Sequence, residues 1–222
     1  MYTSDFSKEL KSVMSKGRKT KFLKKQIIQS TDDRRVFNYI ISGYVKRYLI
    51  TNEGSLAVEV IYGPGDAFPI TLAFSALFNQ TINESPEIFY YETVTDVEAY
   101  TITETELKQI VYNNPGLYKD LMGVAGKRLH STLQGLENIA LKDAYSRLAH
   151  ELYFLAVRFG QETADGTRIL IPLTHQDLAG ILSVTRETIS TNMVRLKKEN
   201  LVKTDKGIVI KDMQKLKAKA YD

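Results

Sequence analysis

Arg186 and Glu187 stand together at the head of a segment in which Ile189, Met193 and Leu196 recur at steps of four and three. That spacing places the three apolar side chains on one face of a helix. The opposite face then offers Arg186, Glu187, Ser190, Thr191, Lys197 and Lys198. A guanidinium can bond guanine O6 and N7 together, and a carboxylate can accept from cytosine N4. Ser190 and Thr191 suit either bases or phosphate. Thr174, His175, Arg195 and Lys206 suit phosphate, a contact that positions a protein without reading sequence.

These groups need elements to hold them. Thr174 sits where an N-cap belongs, and Leu178, Ile181 and Leu182 form the inner face of a first short helix. Ser183 and Val184 make a tight turn, and Thr185 can cap the helix that Arg186 opens. Leu201 to Thr204 and Ile208 to Ile210 flank Asp205-Lys206-Gly207 and read as a β-hairpin. Two helices joined by a tight turn and followed by a hairpin form a winged helix, whose second helix enters the DNA major groove. An Arg-Glu pair alone would read as an ordinary charged surface. Cap, turn, inward triad and hairpin together point to double-stranded DNA.

Upstream the pattern changes. Residues 1–30 read as one or two short helices with Phe6, Leu10 and Val13 in a stripe. The basic run from Lys16 to Lys25 reads as a flexible solvated face, or as an arm touching DNA or a neighbouring subunit. From about residue 33, short runs rich in Val, Ile, Tyr and Phe alternate with Gly and Asn turns, which predicts an antiparallel barrel or jelly roll. The apolar insert Ala67 to Phe78 predicts a short helix crossing that barrel. Thr103-Glu104-Thr105-Glu106 matches a capping box. After Pro115, Leu117, Leu121, Val124, Leu129, Leu133, Leu136 and Ala140 define a helix of about seven turns, read as a dimerisation element rather than plain packing. Asp143 to Phe159 forms another helix, and Ile169 to Pro172 a short strand. The expected fold class is α+β. Its expected divisions are a β-barrel domain over 1–112, a dimerisation helix over 113–140 and a winged helix-turn-helix over 141–222.

Composition narrows the chemistry. The chain has 222 residues and no cysteine, which excludes disulfides, thiolate zinc sites, cysteine-ligated clusters and a cysteine nucleophile. No signal peptide and no apolar run near the ~20 residues of a membrane span are read, so the expected location is the cytoplasm. Charge is segregated: residues 1–47 hold 12 Lys/Arg against 4 Asp/Glu, residues 48–107 hold none against 10, and residues 174–222 hold 10 against 6. The basic C-terminal block is where an electrostatic footprint on nucleic acid belongs.

Thr185-Arg186-Glu187-Thr188-Ile189, Leu173-Thr174-His175-Gln176-Asp177-Leu178-Ala179, Ser146-Arg147-Leu148-Ala149, Gly43 and Gly63-Pro64-Gly65-Asp66 carry a resemblance. Over about residues 15–212 the chain resembles the Crp/Fnr superfamily of bacterial regulators, typified by the cyclic-AMP receptor protein and the fumarate–nitrate reduction regulator. The resemblance implies a homodimer, an N-terminal jelly-roll barrel like those that bind cyclic nucleotides, a long dimer helix, and a C-terminal winged helix in which Arg186 and Glu187 contact bases. RNA polymerase is a candidate further partner. Two positions depart from the family: Thr191 stands where a third, basic contact often falls, and Ser183 where the turn often has glycine.

The barrel itself argues against cyclic nucleotides. Gly65-Asp66-Ala67-Phe68-Pro69 lacks the Glu that the ribose would want, and Ile88-Phe89-Tyr90-Tyr91 stands where an Arg-Ser pair would hold the cyclic phosphate. A buried phosphate without a cation is costly. Haem needs an axial ligand, and His130, His150 and His175 all lie outside the barrel. Phe68, Phe74, Phe78, Phe89, Tyr90 and Tyr91 form an aromatic core or line an apolar pocket. No cofactor is expected, and the identity of any effector stays open between an uncharged ligand, a cationic ligand and none. An enzyme would need a nucleophile–base pair or a metal cluster, and neither occurs at a recognisable spacing. The remaining alternative to a sequence-specific regulator is an architectural protein that binds DNA without specificity.

Overall fold

The structure, a computed structural model, describes residues 8–28, 35–51, 54, 56–78, 89–141, 143–205 and 207–221. Phe6 and Lys206 lie outside the described residues. Two compact units emerge: one holds Thr3–Ile50 and Glu59–Leu129, and the other holds His130–Asp222 together with Thr51–Val58.

In the first unit, helix α1 (Lys8–Met14) buries Leu10, Val13 and Met14. The basic run that follows is largely exposed, as a solvated face would be, but it is ordered rather than flexible. It folds as strands β1 (Arg18–Phe22) and β2 (Ile27–Ile28). Lys19 and Lys21 both pair with Glu98, at 2.7 and 3.1 Å, so β1 is held against its neighbour partly by charge. Strands β3 (Val36–Ser42), β4 (Val45–Ile50), β5 (Leu56–Tyr62), β6 (Ala67–Phe68), β7 (Phe89–Thr93) and β8 (Val97–Thr103) complete two four-stranded sheets, ordered β1-β8-β3-β6 and β2-β7-β4-β5. Gly43 turns β3 into β4 with φ 87°, and a Cβ there would meet the Asp96 carbonyl oxygen at 2.1 Å. No L side chain fits that approach.

Alternation along the strands splits β3 and β8 between two cores. Ile40, Val97 and Ala99, with Phe68 of β6 beside them, face Ile28, Val45 and Tyr62 from the other sheet. Phe37, Tyr39 and Ile102 face the other way, under the helices. Between the sheets the buried Thr101 hydroxyl donates to Asn38 Oδ1 at 2.9 Å. Helix α2 (Ile70–Phe78) does not cross the jelly roll as expected. Ile70, Leu72 and Ala73 pack with α1, α3 (Glu104–Asn113) and the start of α4 (Gly116–Leu141) on the outer face. The expected capping box is present: Glu106 N donates to the Thr103 hydroxyl, and Thr103 N to the Glu106 carboxylate.

Helix α4 uses its apolar positions in two ways. Leu117 and Leu121 are fully buried, while Met122, Leu129, Leu133 and Leu136 are 53%, 63%, 50% and 59% exposed. The last three follow a three-and-four spacing, as in a coiled-coil seam.

The second unit is built on α5 (Ala144–Phe159), which buries Leu148, Leu152 and Leu155. The strand expected at Ile169 to Pro172 lies further upstream. β9 (Gly160–Thr163) and β10 (Gly166–Ile169) form a hairpin, because Gly166 at φ 122° supplies the turn. Helices α6 (His175–Leu182) and α7 (Arg186–Lys198) follow, and then the short strands β11 (Val202–Lys203) and β12 (Val209–Ile210). These four strands make one sheet, ordered β11-β12-β10-β9. A final helix, α8 (Met213–Tyr221), packs on α5 through Leu216 and Ala220; the sequence reading did not foresee it.

Candidate nucleic-acid interface

Local chemistry fixes both helices of the reader. Thr174 caps α6 and shares a capping box with Asp177, whose carboxylate accepts from Thr174 N at 3.0 Å. The helix ends at Ser183 in the left-handed region (φ 50°, ψ 51°), and Val184 N donates back to the Ala179 carbonyl at 3.1 Å. That six-residue closure is a Schellman turn, a position that favours glycine. Thr185 caps α7 by accepting from Thr188 N at 3.2 Å. Arg147 on α5 donates to the Leu182 carbonyl, so the end of α6 is tied to the helix beneath it.

With the frame fixed, each side chain has a place. Ile189, Met193 and Leu196 are buried. Arg186, Glu187 and Thr191 are exposed on the opposite side, with Arg186 and Glu187 on the first turn of α7. Thr174 and Thr185 are caps at the surface. His175 opens α6, half-buried, with Nδ1 2.9 Å from Ser190 Oγ. Ser190 Oγ also lies 3.0 Å from the Arg186 carbonyl oxygen. Arg195 is more engaged than its spacing suggested. Its guanidinium stacks 3.8 Å from the Tyr145 ring, and Nε donates to Glu199 Oε1 at 3.1 Å. Sequence spacing gave no sign of Arg147 or Tyr145 in these supporting roles, because each partner is remote along the chain.

An exposed Arg-Glu pair on a capped helix start, backed by a buried triad and a short hairpin, defines a winged helix-turn-helix DNA-binding protein. Residues 146–219 match the Crp-like helix-turn-helix domain. A curated relative, the CRP-like cAMP-activated global transcriptional regulator of Mycobacterium tuberculosis, is 26% identical over 182 residues, covering 82% of this chain and 78% of its own. Two solved structures share the fold. A CRP/FNR-family transcriptional regulator from Thermus thermophilus has TM-score 0.72 at 23% identity, covering 92% of this chain and 99% of its own. CooA from Carboxydothermus hydrogenoformans has TM-score 0.71 at 23% identity, covering 94% and 90%. Residues 146–219 thus carry a Crp-like helix-turn-helix domain, and most of the chain is similar in sequence to a CRP-like transcriptional regulator and in fold to CRP/FNR-family proteins.

The jelly roll corrects the charge argument made from sequence. The count placed no cation within residues 48–107, yet Arg47, one residue earlier, pairs in register with Tyr91 and lays its guanidinium 3.6 Å from the Phe89 ring. It is ion-paired with Glu59. Lys46 lies 3.6 Å from Glu92. The aromatic residues divide rather than lining one pocket. Phe68 stacks on Tyr91 at 5.1 Å beside Tyr62, Tyr90 stacks on Tyr48 at 5.5 Å, and Phe74 lies against Phe78 on α2. Asp66, in the Gly63-Pro64-Gly65-Asp66 turn, accepts from Gly63 N at 2.6 Å, so its carboxylate closes its own turn. Among the described residues there is no group of acidic, histidine or cysteine side chains that could hold a metal, and no helix is long and apolar enough to cross a membrane.

Proposed function

We propose that the chain acts as a homodimer that reads a palindromic site in double-stranded DNA. The observation that carries this is the exposed first turn of α7, where Arg186 and Glu187 face outward from a helix whose other side is buried. Bidentate guanidinium contact with guanine and carboxylate contact with cytosine read a half-site. Thr185, Ser190 and Thr191 flank that contact. Thr174, His175, Arg195 and Lys206 serve the phosphates, with Arg195 also bracing α7 through Tyr145. The exposed Leu129, Leu133 and Leu136 stripe on α4 supplies the dimer seam, and two-fold symmetry then sets two half-sites one helical turn apart. The working divisions are the barrel over 1–112, the dimer helix over 113–140 and the reader over 141–222. Such a regulator works in the cytoplasm, where RNA polymerase is its natural further partner.

Activation by cyclic AMP, the property named for the mycobacterial relative, does not extend to this chain. Arg47 and Lys46 already face Glu59 and Glu92. The sequence from Asn79 to Ile88 brings no Lys or Arg to a cyclic phosphate. Calorimetry with cyclic AMP and cyclic GMP should give no heat of binding, and micromolar affinity for either would contradict this.

Enrichment from a random duplex pool tests the main reading. A palindromic consensus is the expected result. Retention of DNA with no consensus would favour an architectural protein instead.

A further inference from the structure

We propose that His175 grips a DNA phosphate only as an imidazolium, because Ser190 fixes the ring with its proton on Nδ1. The inference rests on reading α6 and α7 as the DNA-contacting pair, and adds to it a proton that must be taken up on binding.

Ser190 Oγ lies 3.0 Å from the Arg186 carbonyl oxygen and 2.9 Å from His175 Nδ1. A carbonyl oxygen can only accept, so the single hydroxyl proton of Ser190 must lie on that contact. Were it turned toward His175 instead, two oxygen lone pairs would face one another at 3.0 Å. Back-bonding of this kind from a helical serine to the carbonyl four residues earlier is a common arrangement. Ser190 Oγ therefore receives from His175, and Nδ1 carries the hydrogen. In a neutral imidazole that leaves Nε2 with a lone pair. Among the described residues Nε2 makes no hydrogen bond.

A lone pair repels a phosphate. The residue heading the helix that crosses the DNA backbone thus meets an anion with the wrong polarity until Nε2 is protonated. Once protonated, Nε2–H donates a charge-assisted bond to phosphate while Nδ1–H keeps its bond to Ser190. The charged groups nearby on α6 and α7 are Asp177, engaged by Thr174, and Arg186 and Glu187 on the first turn of α7. Helix α5, which also packs against α6, carries Arg147 at the Leu182 carbonyl, Tyr145, Tyr153 and Arg158, and also His150 and Glu151. The test must separate His175 from these two.

The measurement is fluorescence anisotropy on a labelled mixed-sequence duplex at low ionic strength, and on the enriched palindrome, at about pH 6 and about pH 8. The parent protein should bind about tenfold more tightly at the lower pH, and the slope of log affinity against log salt should steepen by about one per subunit. His175→Arg, charged throughout, should bind tightly at both values with the steeper slope. Ser190→Ala releases the ring to carry its proton on Nε2, so the pH dependence should shrink and affinity at the higher pH should rise. Equal affinity of the parent at both pH values would overturn the proposal. Retention of the full pH dependence by His175→Arg would also overturn it and assign the proton to α5. Failure to bind any duplex at either pH would overturn the DNA-contacting assignment of α6 and α7, and the proposal with it.

Discussion

The Tyr145 hydroxyl donates to Glu199 Oε2 at 2.7 Å, joining the first turn of α5 to the residue that caps the end of α7. The same ring carries the Arg195 guanidinium. Three side chains thus fix the far end of the recognition helix, while Thr185 fixes its start. The bond from Tyr145 holds the Glu199 carboxyl below the usual carboxylate range, and burial pushes the Tyr145 phenol well above its own. Tyr145→Phe keeps the stacked ring but removes the donor. It should cost about 1 kcal/mol of stability, read by thermal melting, and leave base preference unchanged.

Ser183 holds a left-handed conformation between the two helices. Glycine occupies that region without a Cβ penalty. Ser183→Gly should therefore stabilise the protein by about 0.5–1 kcal/mol, and DNA affinity should stay within experimental error. A lower melting temperature would show that the serine side chain is needed there.

Burial pushes the half-buried Glu151 carboxyl up to about 7, against an opposing pull from Arg158. The folded chain keeps this proton to higher pH than the unfolded chain does. Its contribution to stability is complete below the ordinary glutamate range and is lost as pH climbs through about 7. Glu151→Gln mimics the protonated form. Its melting temperature should match the parent near pH 4.5 and exceed it above pH 8, by roughly 1–2 kcal/mol of stability. Equal melting at the higher pH would contradict the assignment.

The stripe on α4 predicts the consequence of charging it. Leu133→Glu with Leu136→Glu places carboxylates where the partner helix would pack. Sedimentation should report monomers. DNA affinity should fall by roughly a hundredfold or more, because both half-sites can no longer be held at once. A dimer that survives the double change would move the seam elsewhere.

The reader was legible in the sequence because its signals are local. Thr174, Thr185 and the Ile189-Met193-Leu196 triad each declare a cap or a face within one or two turns. The jelly roll was legible for a similar reason, through glycine turns such as Gly43. Strand β1 was hidden because Lys19 and Lys21 dominate its composition. Its partner Glu98 stands far along the chain, and only pairing with β8 makes the strand. Helix α8 was hidden because only Leu216 and Ala220 mark its buried side, too few to set a period. Arg47 was missed by counting charge in blocks, when the register of β4 on β7 decides what a guanidinium meets. The Ser190 link to His175 spans two helices, so neither spacing alone could announce it.

The most direct measurement compares the parent and Arg186→Ala on the enriched palindrome and on a scrambled duplex, in competition at one salt concentration. The parent should prefer the palindrome strongly. Arg186→Ala should lose about 1–3 kcal/mol of that preference per half-site while keeping its affinity for the scrambled duplex, since base contacts specify and phosphate contacts do not. An unchanged preference in Arg186→Ala would contradict the claim that the first turn of α7 reads the DNA.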